Sequence, residues 1–131
     1  MVADAAFDPR REPDRNVILY GHAGMNAAWG PLLGSAPVAV GRGRLTVGDR
    51  EQKADDLACL LVYPRPGSDV ASVGVVAGTG PHGLRLADRL PYFSSGAAYP
   101  DWVVLDSAGV RGAGFFGNDW QVTSGESAWR K

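Results

Sequence analysis

The sequence predicts an α/β fold: a three-layer sandwich on a largely parallel sheet of about five strands, with short helices and one β-hairpin. Three observations carry that expectation. Continuous apolar runs at 17–20, 56–63, 70–77 and 102–105 have the composition of strands buried on both faces. Short helix-forming stretches fall between them. Glycine-rich turns follow several of the runs, and 18 glycines in 131 residues imply many tight turns. A mixed α+β sheet is the alternative architecture.

Each element has its own justification. Residues 1–14, rich in Arg, acidic residues and Pro, read as a flexible lead-in or linker stub. They lack the apolar stretch of a secretory signal. One domain is expected over 15–123, with 124–131 as a tail. Val17-Ile18-Leu19-Tyr20 is the first strand, closed by Gly21. Asn26 to Leu33 is a short helix, capped by Asn26 and ended by Gly34, with Pro31 limiting its length. Residues 37–47 read as two strands around Gly41-Arg42-Gly43, the grammar of a hairpin. Asp56 to Tyr63 is a strand ended by Pro64-Arg65-Pro66-Gly67, and Cys59 inside it is a buried small hydrophobe. Val70 to Ala77 is the next strand. Leu84 to Leu90 is a short amphipathic helix, Trp102 to Leu105 a core strand, and 112–116 a last strand or a loop.

Composition narrows the function classes. A net charge of −1 argues against an electrostatic nucleic-acid binder or a membrane-surface binder. No apolar run approaches the roughly 18 residues a membrane helix needs. One Cys and two His cannot close a four-ligand zinc site. No metal and no cofactor is expected.

Gly78, Gly80 and Gly83 spell G-x-G-x-x-G between a strand and a helix. In dinucleotide folds such glycines admit a phosphate to a helix N-terminus. Here the motif follows a later strand and opens a short helix, and a turn role is the simpler reading. Gly21-His22-Ala23-Gly24 occupies the place of a nucleophile elbow, but Ala23 stands where the serine belongs, and G-x-S-x-G occurs nowhere. A triad of Ser68, His22 and Asp69 has no supporting spacing. Asp55, Asp56 and Asp101 read as solvated strand ends. If the strands are parallel, the turns at 21–26, 64–69 and 78–83 share one edge of the sheet. A ligand would then meet Gly21, His22, Asn26, Ser68, Gly78, Thr79, Gly80 and His82. Tyr92, Phe93, Tyr99, Trp102, Phe115, Phe116, Trp120 and Trp129 crowd the last third of the chain. Phe115, Phe116, Trp120 and Trp129 are the interface candidates, since exposed aromatics mark docking surfaces.

Five blocks carry a family resemblance: residues 14–21 (DRNVILYG), 26–29 (NAAW), 55–67 (DDLACLLVYPRPG), 73–92 (VGVVAGTGPHGLRLADRLPY) and 113–120 (AGFFGNDW). Together they resemble the C-terminal portion of large bacterial prolyl-oligopeptidase-like serine peptidases. In those proteins an α/β-hydrolase domain lies upstream and holds the catalytic groups, so no catalytic residue carries over. Similar sequences tend to have Asn-Ala-Asp-Thr-Asn where this chain has His22-Ala23-Gly24-Met25-Asn26, and the connection from Leu105 to Gly109 is shorter here. The resemblance implies a non-catalytic accessory domain for domain docking or substrate guidance. Its partner would be an α/β-hydrolase peptidase domain in cis or in trans, and the resemblance leaves open whether the parent protein is secreted or periplasmic. The alternatives are a small-molecule or anion-binding domain using the strand-end turns, and a self-associating structural module.

Overall fold

A computed structural model describes residues 1–89 and 100–131. Its elements are β1 (Val17–Tyr20), α1 (Trp29–Leu33), β2 (Val38–Gly41), β3 (Arg44–Val47), β4 (Arg50–Lys53), β5 (Ala58–Pro64), β6 (Ser72–Gly78), α2 (Pro81–Leu86), β7 (Trp102–Asp106), β8 (Gly109–Phe116) and β9 (Val122–Trp129). Single 3₁₀ turns lie at Asp4–Ala6 and Ala87–Arg89. Leu90, Tyr92, Phe93 and Tyr99, which figured in the sequence reading, lie outside the described residues.

The strands form two sheets. Six run in the order β1-β6-β5-β7-β8-β9, and three form the antiparallel meander β2-β3-β4. Only β1 and β6 pair in parallel in the larger sheet. This overturns the expected helix-flanked, largely parallel sandwich: strand makes up 42% of the described residues and helix 14%. The physical reason is the length of the connections. A parallel pair needs a crossover of a dozen or more residues, whereas short links produce hairpins. Seven residues, 65–71, join β5 to β6, and Ser107 and Ala108 alone join β7 to β8.

The apolar runs of β5, β6 and β7 are buried on both faces, but by different covers. Cys59, Leu61, Val73, Val75, Trp102 and Val104 face the meander and α1. Val38, Val40, Leu45 and Val47 of the meander are each no more than 2% exposed. Burial of such side chains is worth about 1.5–3 kcal/mol apiece. That holds the meander in place although its outer strand, β4, is Arg-Glu-Gln-Lys. On the opposite face, Leu86 covers Ala58, Val103 and Leu105, and Ala87 covers Leu60 and Val76. A continuous apolar run therefore signals two covered faces, not parallel pairing.

β1 departs from the expectation of a strand buried on both faces. It is a margin of the sheet, with Leu19 buried and Ile18 and Tyr20 about half exposed. At the other margin, residues 122–129 pair with β8, so most of the segment read as a tail is strand. Residues 9–15, read as lead-in, fold around the buried guanidinium of Arg65. Its Nη1 donates to the carbonyls of Glu12 and Arg15, and its Nη2 to those of Pro9 and Arg11. Phe7 lies 5.8 Å from the same guanidinium. Asn16 Oδ1 accepts from the Ser72 amide, fastening this segment to the start of β6.

Candidate functional site

Strand direction decides which candidate residues meet. Because β1 and β6 are parallel, the turns after them share one end of the sheet. Gly21, His22 and Asn26 lie there with Gly78, Thr79, Gly80 and His82. Ser68 does not join them. It follows β5, which runs antiparallel to β6, and so sits at the opposite end. Its hydroxyl donates to Asp14 Oδ1 at 2.7 Å and accepts from the amides of Val70 and Ala71. Ser68 closes a turn, far from His22.

The shared strand end is filled by protein. A Cβ on Gly78 would lie 2.3 Å from Leu84 N, one on Gly80 2.5 Å from Asp55 O, and one on Gly83 2.2 Å from Leu57 O. These glycines allow α2 to pack on the sheet, and backbone atoms occupy the space a phosphate cradle would need. Thr79 is fully buried, and its Oγ1 accepts from the Leu57 amide at 3.0 Å. The meander seals the same end: the Gly43 amide donates to the Thr79 carbonyl and the Ala23 amide to the Val40 carbonyl. His22 Nδ1 accepts from the Gly24 amide, and His82 is exposed on α2. Asn26 works on both sides of its turn. Its Nδ2 donates to the Tyr20 carbonyl and its Oδ1 accepts from the Ala28 amide at the entry to α1.

The four interface candidates do not form one patch. Phe116 is buried against Tyr63, with ring centroids 6.0 Å apart. Trp120 leans on both rings from the β8–β9 turn, in the left-handed region at φ 59°. Trp129 packs on the buried Trp102 at 5.4 Å, beneath the guanidinium of Arg50. Phe115 is half exposed and, as the strand neighbour of Phe116, points to the opposite face. Asp101 is structural too: its Oδ2 accepts from the Phe116 amide at the irregularity in β8. Burial pushes the Cys59 thiol up to about 12, so this sulfur is inert at neutral pH. Among the described residues no cluster of His, Cys, Asp and Glu is arranged to hold a metal.

The opening with room for a ligand is elsewhere. A groove of about 570 Å³ runs between the N-terminal segment and β1. That lies within the range of about 300–1,000 Å³ typical of binding clefts. Phe7, Arg11 and Arg15 line one side, and Val17 to Tyr20, Met25 and Asn26 the other. The edge of β1 inside it is open. The Gly21 amide donates to the Val76 carbonyl, so in a parallel ladder residues 17, 19 and 21 turn their amides and carbonyls toward β6. Ile18 and Tyr20 turn theirs away. Asn26 takes the Tyr20 carbonyl, and the Ile18 amide, the Ile18 carbonyl and the Tyr20 amide have no partner among the described residues. Sequence reading missed this site because its N-terminal wall is held in place by Arg65, 50 or more residues further on, and neither wall carries a motif. The one local hint was an arginine between two prolines at 64–66.

No family model matches the chain, and no curated protein and no solved structure is detectably similar to it.

Proposed function

We propose that this chain is a non-catalytic docking module that receives an extended polypeptide segment along β1. One observation carries the reading: an apolar edge strand, with three main-chain groups unpaired among the described residues, lies in a groove of peptide size. An added strand satisfies those groups by main-chain hydrogen bonding, while alternate side chains give selectivity. On one side of the added strand those side chains meet Ile18 and Tyr20, which are about half exposed. The resemblance to the C-terminal portion of prolyl-oligopeptidase-like peptidases supports the same reading. An accessory domain beside a peptidase has polypeptide partners at hand, either a segment of the catalytic domain or a substrate in extended form.

The test is a library of displayed ten-residue peptides panned against the whole chain, followed by calorimetry with the selected sequences. Ile18→Pro removes the outward amide together with the Ile18 side chain, leaving the β6 ladder to Leu19 and Gly21, and proline is tolerated on edge strands in that orientation. Peptides that bind the folded wild type and lose at least tenfold on Ile18→Pro support the proposal. Amide exchange at Ile18 and Tyr20 gives a check independent of the variant's folding, and both amides should slow when peptide is added. A library without binders, or unchanged exchange at both amides, overturns it.

A further inference from the structure

Resting on that reading, we infer that the segment received by the β1 groove is acidic. The argument is a charge count along the walls. Arg65 is only 2% exposed, and every recorded partner of its guanidinium is a main-chain carbonyl. Its Nε has no acceptor at all among the described residues. A buried cation held by dipoles alone keeps its full charge, and poor screening carries its field into the neighbouring space. Arg11 lines the groove as well, and among the described residues its side chain forms no ion pair.

The carboxylates of the groove offset part of this charge. Arg15 pairs with Glu12 at 3.0 Å. Asp4, the remaining carboxylate of the lining, accepts from the Ala27 amide at 2.6 Å. The lining side chains thus carry three guanidiniums, Arg11, Arg15 and Arg65, against two carboxylates, Asp4 and Glu12, a surplus of one cation beside an edge that presents hydrogen-bonding main chain. An incoming strand with Asp or Glu supplies the missing charge, and one with Lys or Arg meets repulsion from that surplus. Arg11 is the determinant within reach, because it is exposed whereas Arg65 is enclosed.

The experiment compares three synthetic peptides built on one selected apolar alternation, with Glu, Gln or Lys at the same two positions. Binding to the whole chain is measured at low and high salt. The Glu peptide should bind about tenfold more tightly than the Lys peptide at 50 mM salt. The gap should narrow at 500 mM, where exposed charges are screened within a few ångströms. Arg11→Glu should reverse the order of the Glu and Lys peptides and leave the Gln peptide unchanged. Equal binding of all three, with Ile18 and Tyr20 amides still protected, overturns the acidic preference and leaves the docking site standing. Failure of all three to protect those amides overturns both.

Discussion

At one margin of the six-stranded sheet, β9 presents Ser124, Gly125 and Glu126 to solvent and is pinned by side chains at its far end. Trp129 is layered between Trp102 and Arg50, and Arg130 joins Arg111 on the carboxylate of Asp106. At the other margin, β1 is apolar throughout, and its approach is flanked by a segment fastened to Arg65. Open edges invite pairing with other chains, and polar residues or a cover suppress it. β9 takes the first course. β1 leaves an apolar edge beside a groove, which is what a strand-accepting site requires. The difference separates a margin built for closure from one built for access.

Three substitutions break or sharpen this contrast, in order of effect. Arg65→Leu removes the donors that hold residues 9–15, and loss of a buried charge that makes four hydrogen bonds costs about 3 kcal/mol. Thermal melting should fall accordingly. Trypsin should cut early at Arg10, Arg11 and Arg15, while the bond after Arg111, in the strand paired with β9, remains resistant. Gly112→Val attacks the other margin, since even a Cβ there would lie 2.5 Å from the Trp129 ring. Overpacking of this kind costs about 1–3 kcal/mol, read by denaturant unfolding, with trypsin sensitivity at residues 10–15 unchanged.

Asp106→Asn is the mildest. The hydrogen bond from Arg130 is the chief reason that the Asp106 carboxyl lies below the ordinary carboxylate range. A depressed native value stabilises the fold above the unfolded value of about 3.9 and loses that contribution as pH falls through the native one. The variant should therefore be less stable than wild type by about 1 kcal/mol at pH 7. The difference should shrink below about pH 4, followed by melting across that range.

Most strand positions were legible because apolar runs mark covered segments whatever their pairing. The runs at 17–20, 56–63, 70–77 and 102–105 each overlap a strand. Strand direction was not legible from burial, and that error carried into the site: placing Ser68 beside His22 assumed that β5 runs parallel to β6. β4 escaped notice because Arg50-Glu51-Gln52-Lys53 has no apolar alternation, its place being fixed by pairing with β3. Gly78, Gly80 and Gly83 were read as a turn at a helix entry; what requires glycine there is contact with Leu84, Asp55 and Leu57, which no spacing rule encodes. The groove depends on Arg65 meeting residues more than 50 positions earlier, a juxtaposition without a local signature.

That distance also sets an order in time. Asn16 and its partner Ser72 are 56 residues apart, and β1 has no ladder until β6 exists. Translation at about 5–20 residues per second puts that wait at roughly 3–11 s. The hairpins of β7, β8 and β9 need only a few further residues each. During synthesis the strand made first therefore waits longest for its partner, and Val17 to Tyr20 spend that interval as an unpaired apolar tetrapeptide.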